Sequence, residues 1–521
     1  MPYKYPAAIR GNILPLILNN FSGGWNPRDA PSELADTESP DCINVTLDER
    51  GGVVKRLGLV RLGSGTSLVN SPQNIFSWTS AGKFVVQDGA AVKTTTNWVD
   101  FTTIHTFTTA ERAAFCDFNN FLVSVHPTDK AAGFDGTTWT PVSTSPRGNC
   151  IAVWQNKVWI SGDPSAPSRV YACAPGDHNV WNITVDFVDV REKDGLPVTA
   201  LGAGQGMDIS GRPGLLVFKL DSVHRINDSR SNVTGATPTF GQYTTLHNHA
   251  GAVGALSVVS TQFGQIVFIG TRGIYVCDGV NAPVLASAKL QPFFDSQEIN
   301  LAATSKWCAG VYNDRVIFSL TRGAGQTTNN FSLEFHPTMG WFTPHNFGAS
   351  CFCETIGTVA APDRDLFGGH PTAPKVLNIF HSGADEGVPI TARWQSRWFE
   401  PAGGYEIRMR RLIIAGRGIF TLYTKTDYAL GQGVPSQFAS PLLGGIWGSA
   451  IWGQDLWGGP QYESYSPFWS LGYGRSVAFE LIETSDQATF APPILKDGSA
   501  QEVGNFALYG LKLDYVRLGY T

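Results

Sequence analysis

Few stretches of this chain carry residue types that do chemistry. His247-Asn248-His249 alternates two imidazoles, which on a strand fall on one face and could share a metal ion. No cysteine or carboxylate stands at ligand spacing to complete that site, so hydrogen-bonded or interface histidines are expected. Gly202-Ala203-Gly204-Gln205-Gly206 is glycine-rich but does not complete GxGxxG, and no helical pattern follows it. Asp135-Gly136-Thr137-Thr138-Trp139 could offer a glycosidase a carboxylate, yet a tight turn alone explains its Asp and Gly. No GxSxG, HExxH or Walker motif occurs. The expectation is a non-catalytic protein with no cofactor and no metal.

Two basic spots and one aromatic segment remain. Lys55-Arg56 and Arg408-Met409-Arg410-Arg411 are the densest basic spots. Carboxylate or partner pairing is the first expectation for both, and contact with DNA phosphates is the second, with Arg408, Arg410 and Arg411 the candidates to face a channel. Trp447, Trp452 and Trp457 recur every five residues in a WG repeat. Odd spacing in one strand would send them to opposite faces, so a looped or ribbon-like segment that contacts a subunit or partner is expected. A sugar-binding platform is the other reading. The net charge of −5 and the lack of a basic tract argue against tight nucleic-acid binding.

The elements that must position these residues read as strands. A single core rarely exceeds about 250–300 residues, so 521 residues imply two or more packed units. Charged residues are 16%, against a usual share of about 25%, which suits a surface covered by neighbours. From about residue 70, apolar strands are joined in pairs by turns that accept positive φ: Asn119-Asn120, Gln155-Asn156, Arg272-Gly273 and Asn313-Asp314. Second hairpins close at Asp135-Gly136 and Asp278-Gly279. Four-stranded units at a spacing of roughly 40 residues suggest a β-propeller with six or seven blades. The predicted fold is all-β: an extended arm over 1–64 with a short helical turn near Pro40, a β-propeller over 65–385, and a β-sandwich-like domain over 386–521. The eight cysteines are scattered and form no CxxC, so buried thiols are expected rather than disulfides. Ile13–Leu18 follows Lys4 and Arg10 but is short, carries Pro15 and lacks a clear small-residue cleavage site, so a signal peptide is not expected there.

The arm, with Gly23-Gly24, Pro40-Asp41, Asn44 and Gly52 through Gly58, resembles the opening of tail proteins from short-tailed bacteriophages. Val153–Trp159, Tyr171–Asp177, the WG repeat and Gly474 through Tyr515 are similar to segments of the same proteins. The family is the tail nozzle or hub protein, also called tail tubular protein B or packaged-DNA stabilisation protein. The resemblance implies a propeller-bearing structural subunit, six copies in a ring below the portal and adaptor. Such a homo-hexamer extends the channel for double-stranded DNA without gripping it, helps retain the genome, takes part in ejection and carries tail fibres or spikes. It implies a place in the virion tail after assembly in the host cytoplasm. A carbohydrate-binding or carbohydrate-active propeller, lectin or glycosidase, is the alternative function, and a host-type scaffold propeller a third.

Overall fold

The computed structural model describes residues 13–48, 51–63, 67–207, 213–226, 243–261, 264–296, 298–355, 365–427, 433–440, 463–466, 473–484 and 506–518. The chain divides into two compact units: Arg61–Thr338 with Asn346–Ile379, and Met1–Val60 with Met339–His345 and Phe380–Thr521.

The first unit supplies most of an all-β propeller of seven antiparallel blades, whose strand Phe342–His345 and parts of Gly58–Leu62 and Val376–Ser382 fall within the bounds of the second unit. Six are continuous in sequence, over 72–106, 114–141, 150–189, 198–247, 258–285 and 308–345. The seventh takes three strands from 352–382, and its fourth strand is Gly58–Leu62, which precedes every other blade. The third blade has a fifth strand, Phe187–Asp189, paired beside Arg169–Ala174. The core lies between blades. Ile75 and Val86 of the first blade pack with Phe367 and Val376 of the seventh, which closes the circle. Val123 and Val125 of the second pack with Val158 and Ile160 of the third. These strands are buried on both faces, so they read as continuous apolar runs and not as alternation. The hairpin turns follow the residue chemistry: Asn119, Asn120, Gln155, Asn156, Gly273 and Asn313 all have positive φ.

The second unit holds one eleven-stranded sheet. Its path runs Cys42–Ile43, Ala392–Gln395, Val477–Glu483, Ile407–Thr426, Phe506–Arg517, Val53–Lys55, Val45–Leu47. The segment read from sequence as an extended arm thus supplies strands to this sheet. Leu14–Leu18 also pairs antiparallel with Leu511–Tyr515. The helical turn expected near Pro40 is absent: strands Glu38–Ser39 and Cys42–Ile43 flank the proline. The physical reason is that the residue before proline is driven to extended backbone, where Ser39 Oγ donates to the Gln395 carbonyl at 2.7 Å.

Ile407–Thr426 is twenty residues long and changes partners midway. Residues 407–418 pair with Phe506–Arg517, and residues 421–426 with Val477–Glu483. Both sets of partners belong to the one sheet. A bulge between Met409 and Arg411 leaves Arg410 as an extra residue. The buried series therefore shifts phase, from Ile407 and Met409 to Leu412 and Ile414. The paired arginines 410 and 411 are the sequence trace of that shift.

Candidate functional site

The arm residues singled out by sequence build a buried polar knot in the second unit. Asn44 takes φ 56°, a conformation Asn tolerates better than most residues. Its Nδ2 donates to the Thr391 carbonyl at 2.8 Å, and its Oδ1 accepts from Arg56 Nε at 2.9 Å. Arg56 then grips Asp385 with both Nη atoms, at 2.9 and 2.6 Å. This forked geometry is the strong form of the carboxylate pair. Beside it the buried Lys55 ammonium bonds Glu483 Oε2. Burial pushes Lys55 below its ordinary pKa, and the Glu483 bond opposes that shift. Arg393 Nη2 reaches Asp41 at 2.7 Å. Gly24 has φ 67°, and a Cβ there would lie 2.8 Å from the Phe342 carbonyl oxygen, so no side chain fits. Carboxylate pairing, the first expectation for Lys55-Arg56, is what the structure has.

The three candidate channel arginines stand on the face of Ile407–Thr426 away from its buried series. Arg411 pairs with Asp514 through Nε at 3.0 Å and Nη2 at 2.8 Å. The Arg408 guanidinium lies 5.6 Å over the Tyr473 ring, and Arg517 lies 3.5 Å over Tyr405. Arg410 Nε is buried without a hydrogen-bond partner on its bulge. Trp447, Trp452 and Trp457 lie outside the described residues.

The remaining candidates resolve into turns and packing. His247 ends its strand and His249 lies beyond it, with the rings 6.1 Å apart and edge-to-face. Among the described residues no group of three or more His, Cys, Asp or Glu stands where it could hold a metal ion. Gly202–Gly206 runs within the strand Val198–Met207. Asp135 Oδ1 accepts the N–H groups of Thr137 and Thr138, both at 2.7 Å, and Asp278 Oδ1 does the same for Val280 and Asn281. The backbone donors from Thr138 and Thr137 hold the Asp135 carboxyl below its ordinary value. All eight cysteines are buried free thiols. Burial pushes Cys150 up to about 12, and Cys173 and Cys277 to about 11, so none is a ready nucleophile.

Sequence reasoning missed two features because each is assembled from distant residues. One is a buried group in the fourth blade: Lys219 Nζ pairs with Asp194 at 2.7 Å, and His224 bonds Ser222 Oγ and Thr245 Oγ1, both at 3.0 Å. Burial, then Arg191 and Lys219, lower the His224 pKa to about 4. The other is a pair of cavities at the propeller centre. The larger, about 540 Å3, is lined by residues at or near the first strands of successive blades, among them Gln73, Arg112, Asn149, Thr199 and Lys306. The smaller, about 220 Å3, shares Gln73, Arg112 and Lys306 with it.

Fold and sites together define an all-β propeller protein. No family model matches the chain, and no curated protein matches it. Among solved structures it is similar to streptogramin B lyase, at 12% identity over 62% of this chain and 97% of the lyase, with a TM-score of 0.41. It is similar also to the RRP9 WD40 repeats, at 8% identity over 63% of this chain and 99% of that one, with a TM-score of 0.42. The assignment of the fold stands on the seven blades themselves. Among the described residues no helix is long and apolar enough to cross a membrane.

Proposed function

We propose that this chain is a non-catalytic structural subunit of a bacteriophage tail nozzle or hub, assembled as a ring around the path of the DNA. The observation that carries the reading is the polar knot. Of the arm residues that make the sequence similar to that family, Arg56 is bonded to Asp385 and Lys55 to Glu483, 329 and 428 positions away, while Asn44 bonds Arg56 and the Thr391 carbonyl. A subunit that contains a compressed genome needs its chain ends fixed in one body, and buried, fully paired charges fix geometry more than they add stability. Six copies would carry six times −5, or −30, so the ring as a whole repels phosphate. Negative-stain micrographs of the purified protein are expected to show six-fold rings, and the protein is expected in purified virions. A preparation that stays monomeric at all concentrations and never enters virions would overturn the reading. Glycosidase and nuclease assays are expected to show no turnover. Activity that survives repurification and vanishes with one carboxylate substitution would contradict the non-catalytic part.

A further inference from the structure

We infer that the smaller central cavity of the propeller is a binding seat for a polyhydroxylated oxyanion of monosaccharide size, a sugar acid or a sugar phosphate. Two cations, Arg112 and Lys306, line it, and among the described residues no Asp or Glu does. The cations are placed by the fold. Arg112 Nη2 donates to the Ser350 carbonyl at 3.0 Å and Nη1 to the Ser305 carbonyl at 3.3 Å. Asn329, 2% exposed, donates through Nδ2 to the Lys306 carbonyl at 2.7 Å and to the Ala349 carbonyl at 2.7 Å. Arg112 is thus held by neutral carbonyls, which position a guanidinium without cancelling its charge, and the backbone beneath Lys306 is pinned. The Glu111 carboxylate lines only the larger cavity, where it accepts from the hydroxyls of Thr128 at 2.7 Å and Thr109 at 3.1 Å.

The rest of the lining sets the ligand class. Gln73, Thr327 and Thr328 present hydroxyl and amide groups that can both donate and accept, and Ser71, whose hydroxyl donates to the His370 carbonyl at 2.6 Å, can still accept. A bare anion would leave those groups to water, whereas hydroxyls on a ring would use them. The volume of about 220 Å3 falls below the roughly 300–1,000 Å3 of sites for drug-sized ligands, so one sugar ring is the fitting scale. The cations are 194 positions apart and meet only because successive blades bring their first strands to one axis. The seat does not depend on the tail-subunit reading.

The test is calorimetric titration of the full-length protein with D-glucuronate, glucose 6-phosphate, D-glucose and inorganic phosphate. The two charged sugars are the arms that separate carboxylate from phosphate, and binding of either supports the seat. Lys306→Ala is expected to weaken that binding about tenfold to a hundredfold, the loss of one charge-assisted contact. Arg112→Gln is expected to do the same, with thermal melts to confirm its folding. Because Lys306 is exposed, its variant decides the matter should the Arg112 variant fail to fold. No binding of either charged sugar at 10 mM, equal binding of D-glucose, inorganic phosphate binding as tightly as the charged sugars, or a Lys306 variant that binds like the parent would each overturn the inference.

Discussion

The Lys55–Glu483 pair is closed to water, with side-chain exposures of 0% and 3%, so its two members must be judged together. Lys55→Met leaves a buried carboxylate without its counter-ion, and the expected loss is about 3–5 kcal/mol of stability by urea unfolding. The double variant with Glu483→Leu removes both charges and is expected to recover a substantial part of that loss. A double variant no better than the single one would show that Lys55 acts through packing alone. His224 gives a second test at this scale. Its folded pKa of about 4 lies below the ordinary histidine value of about 6.5, so between those values the unfolded chain binds more protons. Its contribution is complete above about pH 6.5 and is lost as pH falls towards 4, on the order of 1–3 kcal/mol. Thermal melts from pH 7 to 4 are expected to show a slope that flattens in His224→Gln, which hydrogen-bonds but cannot ionise. An unchanged slope would assign the acid sensitivity to other groups.

Turns are the element on which sequence reading succeeded, because their chemistry is local. Gly136 has φ 100°, and among the described residues the one atom within 4 Å of where a Cβ would lie is a Trp78 ring carbon at 3.8 Å. Space is therefore open there and the backbone conformation alone forbids a branched residue. Gly136→Val is expected to cost more than about 1 kcal/mol in urea unfolding. Stability equal to the parent would mean that the turn relaxes to another conformation. The turn itself is of the Asx kind, with Asp135 Oδ1 taking two N–H groups, and not the pure primed turn that Asp-Gly suggests. The strand Ile407–Thr426 does not show in the sequence as one element. The bulge at Arg410 breaks the period of two, and a phase change is invisible to a reading that counts alternation.

Across the whole molecule, the repeat of hairpins made the propeller legible, but what closes it was not. Gly58–Leu62 was assigned to the arm because nothing local joins it to a blade some three hundred residues further on. The same distance hid the central cations and the partners of Lys55 and Arg56. Charge at this scale leads to a measurable expectation for DNA. Arg411 is neutralised by Asp514, so the arginine face offers less free charge to phosphate than its three arginines suggest. On the proposed reading, rings titrated with duplex DNA at several salt concentrations are expected to bind weakly, with a shallow log–log slope. Sub-micromolar affinity with a steep slope at physiological salt would mean that the ring grips its cargo. The late closure of the seventh blade has a further consequence, for synthesis. At roughly 5–20 residues per second, Gly58–Leu62 leaves the ribosome about 15–60 s before Val376–Ser382 is made. Throughout that wait it is an unpaired strand edge, open to the unfinished seventh blade of a sister chain on the same message. An exchange of first strands between nascent copies would link subunits before any of them had finished folding.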